Sequence, residues 1–202
     1  MLFDMLETMP YTTNCYLIGD ETAKVCALVD PGGSLEKILE MVQSRGLTLE
    51  KILLTHGHYD HVGQVSALLE VFPNAAVYLH RLDHREDDKR LYPPPTWGFN
   101  HFEDGSHLSV GSIDVQVLHT PGHSAGSVTL LAEDVMLCGD TLFTGSCGRW
   151  DLTGGDCEAL QGSLARLGRL EGDCKVCPGH GPASTLERER RTNPCLRQAL
   201  GL

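Results

Sequence analysis

The stretch Leu53-Leu54-Thr55-His56-Gly57-His58-Tyr59-Asp60-His61 decides how this chain is read, because it packs four potential ligands into six residues directly after an apolar run. His56 and His58 are two apart, so on an extended chain they share one side and can grip one ion. Asp60 and His61 come just past the strand end, where a turn can aim them at a neighbouring ion. Imidazole and carboxylate are donors that suit zinc, iron or manganese. The whole chain has only 10 histidines, so three of them beside an aspartate at one strand end are poorly explained by chance.

Working outward, Ile52-Leu53-Leu54 is short and wholly apolar, as a strand buried on both faces should be. Upstream, residues 12–19 and 24–30 predict a hairpin that stops at the turn cluster Asp30-Pro31-Gly32-Gly33. Helical spacing of Leu35, Ile38, Leu39 and Val42 predicts a helix over 35–45, closed by Gly46. A second helix is expected around Val65–Phe72 and a strand at Ala76–Leu79. Residues 80–90 read as a polar surface stretch. Leu91 to Phe99, with Pro93-Pro94-Pro95 beside Trp97, reads as a stiff exposed loop, and its Tyr92, Trp97 and Phe99 make it a candidate substrate-facing wall. Strands are expected at 106–110, 113–119, 127–132, 134–138 and Lys175–Cys177, and helices at 156–170 and 184–192. Two blocks of strands, each followed by helices, predict an α/β protein with two sheets face to face and helices outside.

Three further strand ends carry donors. His123 follows a strand in Thr120-Pro121-Gly122-His123-Ser124 and could complete a three-histidine first site with His56 and His58. Asp140 follows Val135-Met136-Leu137 and can bridge two ions, while His180, in Cys177-Pro178-Gly179-His180-Gly181, could join Asp60 and His61. His80, His84, His101, His107 and His119 stand in no such motif and read as surface or core residues.

These runs, together with His119-Thr120-Pro121-Gly122-His123-Ser124 and the segment Cys138 to Arg149, resemble the metallo-β-lactamase superfamily over essentially the whole chain. Within it, Gly139-Asp140-Thr141-Leu142-Phe143 followed by Gly145-Ser146-Cys147-Gly148-Arg149 is similar to the short glyoxalase II-like (hydroxyacylglutathione hydrolase) proteins. The resemblance implies an αββα sandwich of two mixed sheets, formed by residues 1–202 as a single hydrolase domain without the C-terminal helical domain of full-length glyoxalase II. It implies two divalent metal ions, zinc foremost with iron or manganese as alternatives. His56, His58 and His123 would hold one, Asp60, His61 and His180 the other, and Asp140 would bridge them. The implied reaction is hydrolysis of a small-molecule thioester, S-D-lactoylglutathione, by a metal-bridging hydroxide. Asp60 and Asp140 would be catalytic, and Phe143, Gly148 and Arg149 would contact substrate. Two other readings of the superfamily pattern are a persulfide dioxygenase with one iron and a hydrolase of another ester, thioester or amide.

Composition narrows the partners. Sixteen Lys and Arg against 27 Asp and Glu give a net charge of −11, which opposes attraction to nucleic acid or anionic membrane. At this length roughly 70% of the unfolded surface can be buried, so a metal is not needed to hold a core together. The first residues, MLFDMLETMP, carry Asp4 and Glu7 and lack the basic-then-apolar pattern of a leader. Eight scattered cysteines read as free thiols in a reducing cytoplasm. Cys174 and Cys177 should face opposite sides of a strand rather than act together, and Cys147 reads as loop packing. Arg188, Arg190 and Arg191 read as a solvated helix face.

Overall fold

Every residue of Thr13–Asp20 (β2) is buried, because successive side chains enter different layers of the molecule. Cys15 and Leu17 point into one apolar cluster, and Tyr16 and Ile18 into another. The same alternation runs through Val25–Val29 (β3), with Cys26 and Leu28 on one side and Ala27 and Val29 on the other. A sheet with both faces covered follows directly from this pattern. The computed structural model describes residues 1–202.

The first sheet has six strands in chain order: Leu2–Thr8 (β1), β2, β3, Thr48–Leu53 (β4), Ala76–Leu79 (β5) and Asn100–His101 (β6). The first three pair antiparallel, and β3 through β6 run parallel. The second sheet contains His107–Val110 (β7), Ile113–His119 (β8), Val128–Ala132 (β9), Val135–Gly139 (β10), Lys175–Pro178 (β13) and Ser184–Thr185 (β14), in the order β14-β13-β10-β9-β8-β7. Only β10 and β13 run parallel in it. A ribbon of Leu142–Phe143 (β11) and Ser146–Cys147 (β12) stands apart from both sheets.

Three apolar layers hold this together. Leu35–Gln43 (α1) and Val65–Val71 (α3) supply Ile38, Val42, Val65 and Leu68 to the outer face of the first sheet. Between the sheets, Val29 and Leu53 meet Val117, Leu130 and Leu137. Outside the second sheet, Met136, Cys138 and Val176 pack with Leu160 and Leu164 of Cys157–Gly168 (α4), Leu186 of Leu186–Thr192 (α5) and Leu196 of Pro194–Leu200 (α6). The arrangement is the αββα sandwich of two mixed sheets that the sequence predicts.

The main predicted strands and helices form within a few residues of their expected bounds. Strands β1 and β6, the β11–β12 ribbon and α6 are additions, and Ser184–Thr185, expected to open the last charged helix, pairs as strand β14 instead. Cys177 enters the inter-sheet layer while Cys174 packs with the outer one, so the two thiols do part company; all eight cysteines are free. The Leu91–Phe99 loop departs from expectation. Tyr92 is 1% exposed and Trp97 and Phe99 are partly buried against the first core, and of this loop only Leu91 lines the cleft at the gathered donors. Arg190 also departs from it: its guanidinium donates to the carbonyls of Gly168, Leu170 and Gly172 and closes the C-terminal end of α4. Arg188 and Arg191 are exposed, the latter paired with Glu187. No helix is long and apolar enough to cross a membrane.

Candidate metal centre

The donors arrive on the segments that follow β4, β8, β10 and β13, four strands whose C-terminal ends lie at one rim of the sandwich. His56 and His58 follow β4, and the chain then enters the short helix Tyr59–Val62 (α2), which carries Asp60 and His61. Helical backbone there, rather than an open turn, rotates His61 inward to 0% exposure while Asp60 stays at the edge. His123 follows β8, Asp140 follows β10 and His180 follows β13. The His180 segment is latched across the two sheets. The Asn14 amide and the Tyr16 hydroxyl both donate to the Pro178 carbonyl, at 3.0 and 2.7 Å.

Ligand atoms gather into His56/His58/His123 and Asp60/His61/His180, each within 4.8 Å of one another, and a third grouping joins Asp30 to His56 and His61. Asp140 sits between the first two groups: its Oδ2 is 3.6 Å from both His123 Nε2 and His180 Nε2, and its Oδ1 is 3.5 Å from His61 Nε2. Thus all seven predicted ligands converge.

Four of the five histidines are held from outside the centre by one ring nitrogen, while His58 Nδ1 meets His123 Nε2 at 3.0 Å within it. His123 Nδ1 donates to the Arg149 carbonyl at 2.8 Å, and His180 Nδ1 to the Thr12 carbonyl at 3.1 Å. His61 Nδ1 meets Asp30 Oδ2 at 2.9 Å. Thr55 Oγ1 donates to the same carboxylate at 2.6 Å and can therefore accept from His56 Nδ1 at 3.1 Å. Such outer partners fix the tautomer and leave the opposite nitrogen as a lone pair for a metal. The buried polar side-chain atoms that lack any partner are Thr13 Oγ1, His56 Nε2, His58 Nε2, His61 Nε2 and Asp140 Oδ1. Three of these five, His56 Nε2, His61 Nε2 and Asp140 Oδ1, face this centre, and leaving them unpaired is costly, so the residues fit a bound cation.

Electrostatics point the same way. Burial, and then the surrounding imidazoles, lower His58 to about 2 and His56 well below its ordinary value, so both are neutral donors at pH 7. Burial also opposes charge on His61, but Asp30, Asp140 and Asp60 outweigh it and push the ring up to about 9. Burial would raise Asp60, yet the His180 hydrogen bond and nearby His61 bring it down to about 2. The carboxylates around His61 thus favour a positive charge at that point, which a bound metal would supply in place of the ring proton.

The centre opens into a cleft of about 540 Å³ lined by Tyr59, Leu91, Phe143, Arg149 and Leu152 among others. Phe143 and Arg149 line it as predicted. Gly148 does not; it is buried behind Asp140, where an added Cβ would fall 1.8 Å from the Asp140 carbonyl oxygen. Cys147 lines the cleft, but burial and neighbouring Cys195 hold its thiol protonated at neutral pH. His80 stacks on His119 with ring centroids 4.3 Å apart, while His84, His101 and His107 are exposed. Asp30 is the residue whose role the sequence does not disclose. It is buried, with φ at 53°, and holds both His61 and Thr55. Its only trace is the Asp30-Pro31-Gly32-Gly33 turn.

A family model described as the Metallo-beta-lactamase superfamily matches residues 8–180, ending on the last of the gathered ligands. The chain is 32% identical over 217 residues to hydroxyacylglutathione hydrolase GloC from Haemophilus influenzae, covering 97% of this chain and 98% of that one. Among solved structures, BLEG-1 B3 metallo-beta-lactamase is similar with a TM-score of 0.85 and 34% identity, covering 96% of this chain and 99% of that one. TTHA1623 in a di-iron-bound form is similar with a TM-score of 0.84 and 41% identity, covering 95% and 98%. The fold, the converging histidines and aspartates and these likenesses agree: the chain belongs to the metallo-beta-lactamase superfamily and is a metal-dependent hydrolase.

Proposed function

We propose that the protein is a binuclear thioesterase of the hydroxyacylglutathione hydrolase type. The observation that carries this reading is the pair of separate ligand groups joined by Asp140. His56, His58 and His123 would hold one ion, Asp60, His61 and His180 the second, with Asp140 between them. The near full-length likeness to hydroxyacylglutathione hydrolase GloC supports the substrate class. A complete second group favours two ions over the single iron of a persulfide dioxygenase.

When bound, two divalent cations, zinc or else iron or manganese, would supply a water of lowered pKa and polarisation of the acyl oxygen. The chain does the rest. Asp60 would orient that water by accepting its hydrogen bond. Asp30, Thr12, Thr55 and the Arg149 carbonyl keep the rings from turning away. Phe143 and Leu152 give the cleft an apolar wall against the acyl and thiol carbons, and Arg149 stands where a substrate carboxylate would lie. A thiolate leaves readily, so the cleft needs no strong general acid. The protonated Cys147 thiol argues against a protein nucleophile.

The test is hydrolysis of S-D-lactoylglutathione by metal-analysed protein, followed at the thioester absorbance, with His58→Ala as control. Turnover with two ions per chain, lost by orders of magnitude in a variant whose circular dichroism is unchanged, is expected. Two ions without turnover would move the substrate to another ester, thioester or amide. One iron with oxygen uptake on glutathione persulfide would replace the thioesterase with a dioxygenase.

A further inference from the structure

Asp83 ends the single 3-10 turn Arg81–Asp83 after β5, is 2% exposed, and belongs to none of the ligand groups. Its carboxylate is fully engaged by two other segments. Oδ2 accepts from the Gly57 N–H at 2.9 Å and from Ser124 Oγ at 2.7 Å, and Oδ1 accepts from the Gly126 N–H at 2.6 Å. Gly57 lies between His56 and His58, whereas Ser124 follows His123. One side chain therefore ties the loop after β4, in the first sheet, to the loop after β8, in the second.

The two glycines fit around it. A Cβ on Gly57 would lie 2.7 Å from the Asp83 carbonyl oxygen, and one on Gly126 would lie 2.6 Å from Asp83 Oδ1. The result is a close approach of the rings those loops carry: His58 Nδ1 and His123 Nε2 are 3.0 Å apart. Burial of a carboxylate among three neutral donors is costly, and burial does push this carboxyl above its ordinary range.

We infer that Asp83 is a positioning residue for the His56/His58/His123 group, fixing the spacing of its two loops so that three ring nitrogens meet at one point before a cation arrives. The inference rests on the metal reading of the centre and is independent of which substrate is hydrolysed.

The experiment measures stepwise binding of Zn²⁺ to the metal-free full chain by competition with a chromophoric chelator, alongside the visible spectrum of the Co²⁺-loaded protein. Asp83→Asn keeps the shape but turns an amide N–H₂ towards a backbone donor. One binding step should weaken by about 10- to 100-fold, with a changed cobalt spectrum, while the other step stays within about threefold. Ser124→Ala removes one of the three donors and should shift the same step in the same direction by a smaller factor, which keeps the test decisive if Asp83→Asn does not fold. Wild-type affinities and cobalt spectrum in a folded Asp83→Asn, or in Ser124→Ala if the former is lost, would reduce Asp83 to a fold staple and overturn the inference. Failure of the wild-type chain to bind Zn²⁺ would overturn the metal reading itself.

Discussion

Arg149 shows how one residue can hold two separable roles. Its carbonyl orients His123, a main-chain contact that any residue there could make, whereas its guanidinium lies at the cleft mouth. Asp151 grips that guanidinium with two hydrogen bonds, 2.7 and 2.8 Å long, with both side chains more than half exposed. A pair so exposed contributes little to stability. Arg149→Ala should therefore leave the melting temperature unchanged and raise KM more than it lowers kcat. Asp151→Ala, which frees the guanidinium for a substrate carboxylate, should lower KM. Initial-rate kinetics on both variants check this, and a KM unmoved by either would return the pair to loop structure. At this scale the seven candidate ligands were legible in the sequence because imidazoles and carboxylates after strand ends are uncommon and chemically specific. Asp30 and Asp83 were not, since an aspartate that serves another residue looks like any other aspartate. The positions of their partners, 25 to 43 residues away, are invisible along the chain.

At the scale of elements, the end of β2 remote from the metal centre has its own fastening. Asp20 Oδ1 accepts from the Thr22 and Ala23 N–H groups, turning the chain towards β3, while Oδ2 accepts from the N–H and hydroxyl of Ser112 in the β7–β8 turn. The Ala23 and Ser112 bonds, foremost, hold its carboxyl below the usual range. A depressed folded pKa stabilises the fold above the unfolded value of about 3.9 and loses that contribution as pH falls below it. Asp20→Asn should accordingly lower the melting temperature at pH 7 and flatten its decline as pH falls below about 4. Parallel acid limbs for the two proteins would show that Asp20 is not the group titrating. The legible elements were those with a strong local pattern: the apolar runs of β2 and β3 bounded by turns, and the helical stripe of α1. Strand β1 is a sheet edge of mostly intermediate burial, so its pattern is weak. Helix α6 carried a local signal, an Asn193 cap followed by Pro194 at the first turn, but it is only seven residues long.

For the whole molecule, the layer between the sheets is what aligns the two halves of the metal centre, since ligands come from both. Leu130, fully buried on β9, lies in that layer. Leu130→Ala should destabilise the protein by about 2–5 kcal/mol in urea unfolding, through lost burial plus the cavity left behind. A loss under about 1 kcal/mol would mean that the sheets close over the gap. The sequence by itself determined the class of fold, the donor set and the order in which strand ends deliver it, because hydrophobic period and ligand chemistry are local properties of the chain. Tertiary structure alone decided that Asp30 and Asp83 hold the rings and loops, that Tyr92 is buried against His58, and that Arg190 closes α4. Each of these depends on how two sheets and their loops pack across long separations, and a buried polar group acquires its role only from the partners that packing brings to it.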